Sequence, residues 1–164
     1  MIKSPPKVMT FSATDPTGGA GLQADILTIS SLGCHPVSIA TGFTVQDTIG
    51  VNKLISTDSE LVNEQARLIL EDMEGGIFKL GILGSKENIS VVAEIISDYP
   101  DIPLIIDPVL ASGRGDEFTD IEARNMMMEL LFPKSLLITP NSLEARRLVG
   151  NEEEIEDLPI EVCA

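Results

Sequence analysis

Six side chains in this sequence are of types that could act on a small polar ligand: Asp15, Asp25, Gln46, Asp107, Asn141 and Glu144. The first two flank a glycine-rich run, Asp15-Pro16-Thr17-Gly18-Gly19-Ala20-Gly21-Leu22-Gln23-Ala24-Asp25. That run lies between the apolar stretch Val8-Met9-Thr10-Phe11-Ser12 and a helical pattern of Leu22, Ile26 and Ile29. A strand feeding a glycine-rich loop and a helix start makes a binding site out of backbone. Glycines let a ligand approach the main chain, and the first helical turn offers unpaired N–H groups.

Gly19-Ala20-Gly21-Leu22-Gln23-Ala24 satisfies the G-x-G-x-x-A dinucleotide pattern. The loop from Ser12 to Gly19 is longer than the tight turn that pattern needs, and Thr41 and Gly42 stand where the second strand should end in an acid. Both departures weigh against a nicotinamide or flavin. Charges at Asp15 and Asp25 would oppose a pyrophosphate and better suit a neutral ligand with amino groups. The plainer alternative is a set of glycines that only permits a strand-to-helix turn.

Asp107 closes the apolar run Leu104-Ile105-Ile106. An ionised carboxylate there must face water or a cation, so ligation of a metal or its water stands beside a loop-capping acid. Asn141 and Glu144 are spaced as a helix N-cap and its capping-box partner, which needs no further role. His35, next to Cys34, has no Cys/His spacing for zinc and reads as structural. Ser112-Gly113-Arg114-Gly115-Asp116 is a loop beside Asp107 whose Arg meets either a phosphate or solvent.

The elements that must position these groups alternate between strand and helix. Strands are expected at Val8–Ser12, Pro36–Thr41, Val51–Ser56 (antiparallel or at an edge), Ile77–Gly81, Leu104–Asp107 and Leu136–Thr139. Helices are expected from a Thr57–Glu60 capping box to Gly75-Gly76, from the Ser85 cap through Ile96, from a Thr119–Glu122 capping box through Leu131, and from Asn141 to Gly150. Such alternation implies an α/β fold with a mostly parallel sheet and helices on both faces. Ligands of such sheets bind at the carboxyl ends of strands, where Asp15, Gln46, Asp107 and Asn141 all fall.

At 164 residues, 43% hydrophobic and 23% charged, the composition is that of a globular domain. A formal net charge of −15 argues against nucleic-acid or anionic-membrane partners, while leaving room for a small anion met by local N–H groups. No apolar run approaches the ~18 residues of a membrane span. Cys34 and Cys163 read as two thiols in a reducing compartment, so a cytoplasmic location is the expectation. The acidic run 151–157 reads as a solvated helix start or linker.

Taken in order, Thr14–Asp25, Thr44-Val45-Gln46-Asp47-Thr48, Lys79–Gly84, Asp107-Pro108-Val109 and Thr139–Ala145 resemble the hydroxymethylpyrimidine/phosphomethylpyrimidine kinases of thiamine biosynthesis, in the ribokinase superfamily. The resemblance runs from about Val8 to Gly150. It implies that Gln46 hydrogen-bonds an aminopyrimidine, that the Ala20-Gly21 backbone, Ile82 and Val109 line its pocket, and that Asp25 lies close by. Asp107 and Glu144 would help hold Mg²⁺ through water, and Asn141 would orient the phosphate side. ATP is the implied co-substrate, for phosphorylation of a hydroxymethyl group and then of the resulting monophosphate. The superfamily often dimerises, which leaves a homodimer open.

The resemblance also implies a later G-T-G motif that forms an anion hole, followed by a Cys or Asp base. No G-T-G occurs in these 164 residues, and Cys163 lacks the preceding glycines. The expectation is that 1–164 is the N-terminal portion of one ribokinase-like domain. Base and anion hole would lie beyond Ala164, with no catalytic residue and no turnover in this stretch alone. A pyrimidine-binding half-kinase without catalysis, and a pyridoxine-type kinase, are the alternatives.

Overall fold

The computed structural model describes residues 4–73, 75–110 and 120–150. Thr119, the 112–116 loop, the acidic run 151–157 and Cys163 fall outside them. In chain order the elements are β1 (Lys7–Thr14), α1 (Gly21–Ser31), β2 (His35–Gln46), β3 (Val51–Ser56), α2 (Ser59–Asp72), β4 (Ile77–Leu80), α3 (Lys86–Asp98), β5 (Leu104–Ile106), α4 (Ile121–Leu130), β6 (Leu137–Ile138) and α5 (Ser142–Leu148). The strands form one sheet in the order β3-β2-β1-β4-β5-β6. Every pairing is parallel except β2 with β3, which is antiparallel at the edge.

Alternation along β1 sorts the two faces. Met9 and Phe11 join a buried cluster with Val62 and Ala66 of α2, Val92 and Ile96 of α3, and Ala123 and Met127 of α4. Phe11 and Phe78 are the large rings of that core, tilted with centroids 6.1 Å apart. Each such side chain contributes about 1.5–3 kcal/mol on burial. The other face carries Thr10 and Ser12, both buried, and α1 packs over it: Thr10 Oγ1 donates to Asp25 on α1 at 2.6 Å. Helices therefore cover both faces of a mostly parallel sheet, as the alternating pattern requires.

Three local expectations are corrected. The cap of α2 is Asp58, whose carboxylate accepts from Glu60 and Leu61 N–H, and not Thr57. Asp120 likewise caps α4, accepting from the Ala123 N–H. In both places an acidic residue directly follows the threonine, and its short carboxylate reaches the same orphan amides one register later. The second strand runs on past Thr41 to Gln46, because Gly42–Gln46 finds an antiparallel partner in β3. The Ser85 cap of α3 and the Asn141–Glu144 capping box of α5 form as expected.

Candidate functional site

The carboxyl ends of β1, β2, β4 and β5 open on one side of the sheet, and the turns that follow them line a cleft of about 500 Å³. Its walls include Ala20, Gly21, Asp25, Gln46, Ile82, Asp107 and Val109, together with Ser12, Lys79 and Gly81. All six residues expected to bind the pyrimidine, and Asp107, are thus gathered in one place. Asn141 and Glu144 do not line it.

Its first wall is the loop between β1 and α1. Asp15 is 3% exposed and serves the loop itself: Oδ1 accepts the Thr17 N–H at 2.7 Å, and Oδ2 accepts the Ala20 N–H at 2.8 Å and the Thr17 hydroxyl at 3.0 Å. Gln23 Oε1 closes the other side by accepting the Asp15 N–H at 2.8 Å. Burial pushes the Asp15 carboxyl up, but the Thr17 hydroxyl and the amides of Thr17, Ala20 and Gly19 outweigh it and hold it below the usual range. Asp15 is therefore a loop organiser, where the sequence suggested a charge turned toward a ligand. Gly21 completes the turn at φ +58°, and a Cβ there would stand 2.5 Å from the Ala13 carbonyl oxygen. Only glycine fits.

A row of polar groups forms the floor. Thr10 on β1 is in register with Lys79 on β4, so both project to the α1 side. Lys79 Nζ donates to Asp25 Oδ2 at 3.0 Å and stands 4.0 Å from Asp107 Oδ2. Asp25 is thus paired with a lysine and hydrogen-bonded by a hydroxyl, and is not a bare anion. Asp107 is held at the end of β5 by its own N–H, which donates to the Leu80 carbonyl at 2.9 Å. Burial pushes its carboxyl above the usual range; Lys79 pulls it back and Asp25 adds to the rise.

On the far side, the β2–β3 hairpin carries Gln46. Thr44, two residues before it, donates to the Thr14 carbonyl at 2.8 Å and ties the hairpin to the end of β1. Asp47 shapes the turn by accepting from the N–H groups of Ile49 and Gly50. The β4–α3 loop that bears Ile82 is pinned from below. Asn88 is fully buried, and its amide donates to the carbonyls of Leu83 and Thr41 at 2.9 and 3.0 Å, while the Thr41 hydroxyl donates to the Ile82 carbonyl.

Sequence reasoning missed Lys79 as a site residue. The available signal was its place two residues before Gly81 in an otherwise apolar strand, facing the helix that carries Asp25. It also missed the turn residues Thr48, Ile49 and Gly50, which join the cleft only through the bend of the hairpin.

A metal is the remaining question about the donor set. Among the described residues no three His, Cys, Asp or Glu side chains come together as a metal cluster. Glu144 is buried, and its Oε2 accepts the Asn141 N–H at 2.9 Å in the capping box. Mg²⁺ in general keeps most of its waters and binds through one or two carboxylates and substrate phosphates; of the two carboxylates expected to hold one, Asp107 lines the cleft and Glu144 does not.

A family model described as phosphomethylpyrimidine kinase matches residues 15–162 of this chain. A hydroxymethylpyrimidine/phosphomethylpyrimidine kinase of Mycobacterium leprae is 36% identical over 148 residues, 90% of this chain and 53% of that protein. The crystal structure of a phosphomethylpyrimidine kinase from Clostridium difficile 630 superposes with a TM-score of 0.81 at 32% identity, covering 88% of this chain and 63% of that one. A pyridoxal kinase from Staphylococcus aureus in complex with AMP-PCP and pyridoxal gives 0.75 at 25%, covering 90% and 52%. The chain spans about half the length of the single-function curated relatives it matches, 53% to 57%.

Proposed function

This chain belongs to the phosphomethylpyrimidine kinase family, and on that premise we propose that its cleft binds 4-amino-5-hydroxymethyl-2-methylpyrimidine for ATP-dependent phosphorylation in thiamine biosynthesis. The observation that carries the proposal is the convergence of Gln46, the Ala20-Gly21 backbone, Asp25, Ile82 and Val109 on one cleft of small-ligand size. Gln46 offers one carbonyl acceptor and one NH₂ donor, the pair needed to meet a ring nitrogen and the exocyclic amine of an aminopyrimidine edge. Ile82 and Val109 supply apolar walls, and Gly21 lets the ring lie against the main chain.

The proposal includes a water-bridged Mg²⁺ that Asp107 at the cleft would help hold, with Glu144, buried at the start of α5 and outside the cleft lining, as the second carboxylate that the family resemblance implies. Such an ion would neutralise charge on the phosphates of ATP, and Asn141 would orient that side. The protein's own part is positioning: the floor and walls fix the hydroxymethyl group relative to Asp107, and water is displaced from the apolar walls. Phosphotransfer to the alcohol and then to its monophosphate is proposed for the full-length protein. The 164 residues alone are expected to show no turnover, because the G-T-G motif expected from the family does not occur in them. A cytoplasmic location, a homodimer, and no nucleic-acid or membrane partner complete the proposal. Among the described residues no helix is long and apolar enough to cross a membrane.

Calorimetry of the full-length protein with hydroxymethylpyrimidine and, in parallel, with pyridoxal tests this reading. Tighter binding of the pyrimidine, lost in Gln46→Leu, is the expected result. Preference for pyridoxal would move the assignment to the pyridoxal kinases, and binding of neither would overturn it.

A further inference from the structure

The cleft is acidic. Asp25, Asp47 and Asp107 line it, and among the described lining residues Lys79 is the one cation, in a chain of formal charge −15. A neutral alcohol enters such a place without electrostatic cost, whereas a phosphate monoester carrying nearly two negative charges is repelled unless a cation meets it. Three features equip Lys79 for that task. Its ammonium has three donors and spends one, on Asp25 at 3.0 Å; Asp107, at 4.0 Å, is beyond hydrogen-bond reach. Its side chain is 21% exposed, so the ammonium is reachable from the cleft yet shielded from full solvent screening. And Gly81 leaves its cleft side bare: a Cβ there would lie 3.2 Å from Nζ and 2.6 Å from Ser12 Oγ. Asp25 holds the ammonium in place through Oδ2, the same oxygen that accepts the Thr10 hydroxyl.

We infer that Lys79 is a specificity-determining residue: it lets this cleft accept the phosphate monoester of the aminopyrimidine as well as the neutral alcohol. The inference rests on the pyrimidine reading above and adds to it the group that admits the charged second substrate. Lysine suits the role better than arginine would, as a compact point charge that can hold Asp25 and turn its remaining donors toward a phosphate oxygen.

The test is calorimetry of the full-length protein with hydroxymethylpyrimidine and with its monophosphate, in magnesium-free buffer so that no metal supplies the charge. Lys79→Gln keeps a donor for Asp25 and removes the charge. It is expected to lower the ratio of monophosphate to alcohol affinity by at least roughly tenfold, a modest demand for one close charge pair in a partly shielded cleft. Lys79→Arg should recover most of that ratio, and Gln46→Leu should weaken both ligands together. A ratio unchanged in Lys79→Gln, with the variant folded by circular dichroism, overturns the inference while the pyrimidine reading stands. Should Lys79→Gln not fold, the salt dependence of the two wild-type affinities decides. A monophosphate affinity no more salt-sensitive than the alcohol's counts against Lys79. Failure of the wild-type protein to bind either molecule overturns both.

Discussion

Substituting Asp15 by Asn separates two roles that a carboxylate in this loop could have. If Asp15 organises the loop, the damage falls on stability; if it faced the ligand, the damage would fall on binding alone. The carboxylate accepts three hydrogen bonds, from the Thr17 N–H, the Thr17 hydroxyl and the Ala20 N–H. In Asp15→Asn the carbonyl can keep the Thr17 N–H, and the Thr17 hydroxyl can turn to accept. The new NH₂ then confronts the Ala20 N–H donor to donor. Losing one charge-assisted bond and leaving that amide unsatisfied costs about 2–3 kcal/mol. Urea denaturation measures this at pH 7, and hydrogen exchange at the Thr17 and Ala20 amides locates it.

The pH dependence has a definite sign. The folded carboxyl is held below its ordinary value, so its contribution is complete above the unfolded pKa of about 3.9 and is lost as pH falls through the folded value. The stability gap between wild type and Asp15→Asn should therefore be level from pH 7 down to about 5 and shrink below about 4. A variant as stable as wild type with unchanged exchange at Ala20, or a gap that widens toward acid, would refute the loop-organiser role.

Two further substitutions probe the scaffold. Gly21→Ala places a Cβ 2.5 Å from the Ala13 carbonyl oxygen at φ +58°; left-handed backbone alone costs about 1–2 kcal/mol, and displacing β1 adds to it, so a larger loss in denaturation is expected. Equal stability of the two proteins would mean that the turn is not built as described. Asn88→Ala removes the donor to the Leu83 and Thr41 carbonyls from a fully buried position and should cost about 2–4 kcal/mol. Because that amide pins the loop bearing Ile82, pyrimidine affinity should fall with it; a stability loss without an affinity loss would uncouple the loop from the cleft.

The order of elements was legible because local rules decide it: β1 and α3 announce themselves by apolar period and by the Ser85 cap, and a run such as Leu104-Ile105-Ile106 has few other uses. The likeness of five short segments to one kinase family also pointed to Gln46, Ala20, Gly21, Ile82 and Val109, and the cleft gathers them all. What misled was charge. Asp15 and Asp25 look alike in a linear string, but the loop folds its own amides around one, while β4 delivers a lysine to the other across 54 positions. Caps slipped by one residue for a similar reason, since Thr57 and Asp58 compete for the same amides and only the backbone path into α2 chooses between them.

Residue types and their order along the chain therefore decide which strands and helices form and which backbone must be glycine. They do not decide which carboxylate stays charged toward the cleft, because that depends on groups brought together by strand register. Thr10 and Lys79 face α1 side by side only because β1 and β4 pair in parallel with that offset, and a slip of β4 by one residue would turn Lys79 into the apolar core. The pairing of Asp25 with Lys79 at the cleft and the seclusion of Glu144 in its helix cap are properties of the assembled sheet.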